Sequence, residues 1–79
     1  MDFYIAEVLK EARDHMQAVG DHKFYVEREK ALTLIRAGAK VIVNRQQITG
    51  PWLTEFLYDG VHFTHASADP LIPETPVTN

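Results

Sequence analysis

The sequence predicts an α+β fold, with two helices packed on a small antiparallel sheet in the order α-(β)-α-β-β-β and an extended proline-rich C-terminal tail. Three observations carry this prediction. Apolar residues recur at helical spacing through residues 2–19, β-branched and aromatic residues gather in the second half, and Asp59-Gly60 separates two apolar runs.

The first helix spans residues 2–19. Ile5, Leu9, Ala12, Met16 and Val19 follow one another at steps of four and three, which lays a single apolar stripe along the helix. Asp2 is suited to cap its start and Gly20 to sit just past its last turn. Residues 23–26, Lys-Phe-Tyr-Val, read either as a short strand or as the front of a second helix. From Glu27 the spacing is helical, with Ala31, Leu34, Ile35 and Gly38 at i, i+3, i+4 and i+7. Glu27 and Glu29 fall at its start and Arg36 at its end, as the helix dipole favours.

Lys40 to Asn44 holds three consecutive β-branched apolar residues and reads as a strand, and residues 45–50 are polar and turn-like. Asp59-Gly60 then predicts a two-residue type I′ hairpin. That turn sets Tyr58 opposite Val61, Phe56 opposite Phe63 and Thr54 opposite His65, with Trp52 on the same face. The other face holds Leu53, Glu55, Leu57, His62, Thr64 and Ala66. Pro51 offers a rival, a short helix through Tyr58 with Trp52–Phe56 and Leu53–Leu57 as i, i+4 pairs. In both versions residues 61–66 form a strand. From Ser67 onward Pro70, Pro73 and Pro76 disfavour regular packed structure, although Leu71 and Ile72 can dock locally. The chain therefore divides into one domain, residues 1–66, and a tail, residues 67–79, with no internal repeat.

Composition narrows the function classes. The chain has 79 residues and no cysteine, which excludes disulfides, cysteine-bound zinc, thiol nucleophiles and iron–sulfur clusters. A domain this small buries only about 60% of the surface its unfolded chain exposes, so a partner interface is an attractive supplement. Charges interrupt every apolar run and the start has no basic leader region, so neither a signal peptide nor a membrane span is expected and the cytoplasm is the default location. The net charge of −3 conceals a segregation: residues 1–22 sum to −3, residues 23–45 to +4 and residues 46–79 to −4. The simplest use of such blocks is mutual pairing within the fold.

Candidates for chemistry are few. His62 and His65 share the spacing of a helical metal pair, but in a strand an odd separation sends them to opposite faces. His65 is then expected to close the aromatic wall and His62 to be solvated. Ser67 is the lone serine, and the four glycines are dispersed rather than clustered around a phosphate. Glu55 is the acid set within the largely apolar run from Trp52 to Tyr58, and its ordinary role is an outward strand residue opposite Thr64. No catalytic residue, cofactor or metal ligand is expected.

What remains is binding. The first expectation is a non-catalytic protein-binding or assembly module, a homodimer, that uses Trp52, Leu53, Phe56, Leu57, Tyr58 and Phe63 of the hairpin together with the basic second helix. The second is a nucleic-acid-binding accessory protein using Lys23, Arg28, Lys30, Arg36, Lys40 and Arg45, which requires those bases to project from one face. A third, from protein type alone, is a small inhibitor or accessory protein of a mobile element that acts by binding a host protein.

Overall fold

The computed structural model describes residues 2–72. In chain order it contains α1 (Phe3–Val19), β1 (Phe24–Tyr25), α2 (Arg28–Arg36), β2 (Lys40–Gln46), β3 (Trp52–Tyr58) and β4 (Val61–Ser67). This is an α+β fold with two helices packed on a four-stranded sheet.

Helix α1 begins where Asp2 accepts a hydrogen bond from the Tyr4 amide at 2.7 Å. It ends at Gly20, whose amide still bonds the Met16 carbonyl at 2.8 Å and whose positive φ of 74° turns the chain so that the Asp21 amide reaches the same carbonyl at 3.1 Å. The buried positions are Ile5, Val8, Leu9 and Ala12, with Met16 packed against them. Val19 lies beyond the packed length and is exposed, and Val8 widens the stripe beyond the residues expected from its spacing.

The strand reading holds in both ambiguous segments. Residues 24–25 pair with β4, and residues 52–58 form a full strand rather than a helix begun by Pro51. The sheet order is β1-β4-β3-β2. Strands β2, β3 and β4 form an antiparallel meander, whereas β1 adds parallel to β4, so the sheet is mixed. The hairpin register is as expected, Tyr58 with Val61 through Trp52 with Ser67. Asp59 and Gly60 both take positive φ, 50° and 78°, as a type I′ turn demands.

Both helices lie on the same side of the sheet, over its β1–β4 half. Phe56, Phe63 and Val61 point into that layer and meet Ile5, Val8, Leu9, Ala12, Val26, Ala31 and Leu34. The rings of Phe56 and Phe63 stack at 5.4 Å, and Phe24 meets Phe63 edge-on at 6.3 Å. Beyond β4, Leu71 is seated in the same core at 2% exposure. The expected tail contributes to packing at that point, and its remainder from Pro73 lies outside the described residues.

Candidate functional site: the uncovered sheet face

Alternation along each strand sorts the side chains into a covered and an uncovered face. The covered face takes Phe56, Phe63, Thr54, His65 and Val61, all buried. The aromatic wall read as a contact surface is therefore the protein core. Phe56 and Phe63 are fully buried against the helices and reach no partner, while Tyr58 and Trp52 are half-buried toward the ends of the same face. Only Leu53 and Leu57, of the six hairpin candidates, belong to the uncovered face. Sequence alternation separates two faces but does not say which one the helices take.

His65 fills its place on the covered side. Its Nδ1–H donates to the Val26 carbonyl at 2.8 Å, which fixes the tautomer, and Nε2 is buried with no hydrogen-bond partner among the described residues. Nearby, Thr54 Oγ1 donates to Asn44 Oδ1 at 3.1 Å, so these two paired residues satisfy each other toward the β2 end of the face.

The uncovered face is built in rows by the strand register. Lys40, Leu57 and His62 share one row; Val43, Glu55, Thr64 and Tyr25 the next; Arg45, Leu53 and Ala66 the third. Glu55 is the central side chain of this grid. Its own exposure is only 11%, because its row and column neighbours stand around it. His62 Nε2 donates to Glu55 Oε1 at 2.7 Å, and Lys23 Nζ lies 3.3 Å from the same oxygen and 3.4 Å from Oε2. His62 is thus engaged rather than solvated. Desolvation pushes the Glu55 carboxyl upward, but the hydrogen bonds from His62 and Lys23 and their charges outweigh it, and the net shift is downward. Glu55 is held as a carboxylate at the centre of a face where Val43, Leu53, Leu57 and Ala66 alternate with Lys40, Arg45 and His62.

Beside this cluster, a cleft of about 440 Å³ opens over Thr64 and the short β1 edge. Tyr25, 62% exposed, forms one wall, with Lys23, His22 and Asp21 around it.

The six basic candidates do not assemble into one surface. Lys30 is drawn to Glu11 of α1 at 3.1 Å, and Lys23 to Glu55, so part of the central basic block pairs with the acidic blocks on either side. Arg28 and Arg36 stand at the two ends of α2, on the helical side. Lys40 and Arg45 register with Leu57 and Leu53 on the uncovered sheet face. Among the described residues, no ion pair engages Arg28, Arg36, Lys40 or Arg45. The condition set for nucleic-acid binding, bases projecting from a single face, is not met.

Among the described residues, no helix is long and apolar enough to cross a membrane, and no group of three or more His, Asp or Glu is placed to hold a metal ion. His62 and His65 point to opposite sides of β4, as strand geometry requires. Compared with known proteins, the chain matches no family model, no curated protein and no solved structure.

Proposed function

We propose that this protein is a small non-catalytic interaction module whose contact surface is the uncovered face of its sheet. One observation carries the reading: both helices pack on one side, leaving Val43, Leu53, Leu57, Ala66 and Tyr25 on the other, around Glu55 and its partners. Apolar side chains gathered on an open sheet face mark an interaction surface more often than an idle one. The polar groups on that face support binding rather than catalysis. Glu55 is committed to His62 and Lys23, and its pKa moves down, away from the range a general acid or base needs at neutral pH.

Self-association is the second reading, favoured by the outer edge of β2, which has no strand beside it among the described residues. Against it stand the bulge between Val41 and Val43 and the flanking Lys40 and Arg45, devices that blunt edge pairing.

Leu57→Asp tests the first reading. Leu57 is partly exposed, so the variant keeps its far-UV circular dichroism while losing the fluorescence enhancement of an apolar dye that the native protein produces. No dye response from the native protein, or loss of fold in Leu57→Asp, overturns it. Molar mass measured from about 10 to 500 μM decides self-association: a mass rising toward the dimer in the wild type and restored to monomer by substitutions on the β2 edge supports it, and a constant monomer ends it.

A further inference from the structure

The uncovered face has a charge that the chain as a whole does not. Lys23, Lys40 and Arg45 against Glu55 give it +2 with neutral histidine, and since the full chain carries −3, everything else sums to −5. Two copies meeting face to face would therefore oppose +2 with +2. Area weighs in the same direction. Four strands at about 4.8 Å spacing and three rows at about 6.8 Å give a footprint of roughly 400 Å², against the ~800 Å² each partner contributes to a standard stable interface. A helix, about 10 Å across, fits such a footprint, whereas a whole domain is left overhanging.

The chemistry agrees with a helix. Leu53 and Leu57 stand on β3 on either side of Glu55, and Ala66 lies beside Leu53 on β4. Thr64, at 8% exposure, is buried where Lys23 and His62 reach Glu55. The free cations Lys40 and Arg45 stand one strand beyond the two leucines, on β2.

We infer that this face receives an acidic amphipathic helix of a partner protein. Its apolar stripe lies along β3 over Leu53 and Leu57, and its flanking carboxylates meet Lys40 and Arg45. The inference rests on the sheet face being the contact surface and adds what it contacts. A polynucleotide is the poorer fit, because Tyr25 is the one Phe, Tyr or Trp among the rows of this face and Glu55 at its centre repels phosphate.

The test uses the full 79-residue chain, isotopically labelled, and three probes. They are an 18-residue helical peptide with a leucine stripe flanked by glutamates, the same peptide with lysine for glutamate, and a 20-nucleotide single-stranded DNA at ~50 mM salt. The expected result is amide shifts at Leu53, Leu57, Thr64 and Tyr25 with the glutamate peptide, binding at least about tenfold tighter than the lysine peptide, and a loss of about tenfold in Lys40→Glu/Arg45→Glu. Both substituted residues are exposed, so that variant keeps its fold. Equal binding of the two peptides refutes the acidic partner while leaving the contact surface in place. Shifts of the same residues on raising the protein concentration alone make a second copy the occupant, and binding of the DNA with no response to the glutamate peptide makes it a nucleic acid; either overturns the inference. Peptide-induced shifts confined to the helical side overturn the sheet-face reading as well.

Discussion

Phe56 and Leu57 are neighbours in sequence and lie on opposite faces of β3, which makes them the sharpest test of which face the helices cover. Phe56 is 0% exposed and stacks on Phe63, so Phe56→Ala removes a fully buried ring and leaves a cavity among residues already fixed by α1 and α2. Substitutions of this kind cost about 3–5 kcal/mol. Leu57 is 37% exposed and stands on the uncovered face, where neighbours can relax and water can enter; Leu57→Ala should cost about 1 kcal/mol. A chain of this size has a total stability near 5 kcal/mol and loses roughly 4–8 °C in Tm per kcal/mol. Phe56→Ala should thus melt at least about 12 °C lower, and Leu57→Ala only a few degrees lower. Urea unfolding followed by Trp52 fluorescence measures both, since with a slope near 1 kcal/mol/M the midpoints should drop by about 3 M and about 1 M. The face assignment is wrong if the two variants lose equal stability, or if Leu57→Ala loses more.

Four further outcomes follow from other parts of the molecule. Leu71→Ala should destabilise by about 2 kcal/mol or more in the same unfolding assay, because Leu71 is a core residue; a loss below about 0.5 kcal/mol would place it outside the packed unit. Gly60→Ala should cost about 1 kcal/mol although nothing lies within 4 Å of the added methyl, because the penalty is for positive φ alone, and Gly60→Asn should recover part of it. Glu55 has its folded pKa below its unfolded value, so its contribution to stability is in place above about pH 4.5 and disappears as pH falls through the folded value. Glu55→Gln should therefore differ from wild type at neutral pH and converge with it in acid, as read by urea midpoints at stepped pH; a difference that grows toward acid would contradict the direction of the shift. Asp2→Ala should lose about 1 kcal/mol through the unsatisfied first turn of α1, measurable as a lower thermal midpoint.

Much of this architecture was legible in the sequence where a local rule had a single solution. Asp59-Gly60 admits few conformations, and the hairpin register followed from it residue by residue. Ile5, Leu9 and Ala12 identified the packed face of α1 for the same reason. Strand β1 was harder, because two residues are too few to show a period, and its pairing with β4 depends on contacts 39 positions apart in sequence. The site was legible only in part. Glu55 stood out as an acid in an apolar run, and its place opposite Thr64 was foreseen; His62 is its diagonal neighbour within the hairpin, but its bond to Lys23 requires the mixed sheet that brings β1 beside β4. The aromatic residues misdirected the surface assignment because both faces of β3 carry large apolar groups, and only the seat of the helices tells Phe56 from Leu57.

The parallel seat of β1 against β4 also orders events in time. Phe24 and Tyr25 have no strand to join until Phe63 and Thr64 are laid down, and those residues are placed by the hairpin that precedes them. The short loop between β3 and β4 closes quickly, whereas the slot for β1 must wait for a long-range closure. Folding should therefore begin in the C-terminal half of the chain and finish with the N-terminal third, with φ-values high at Phe56 and Val61 and near zero at Phe24 and Val26. On the ribosome, where the N-terminal end emerges first, β1 must wait in the open for the last strand, and until then α1 has only α2 to pack on.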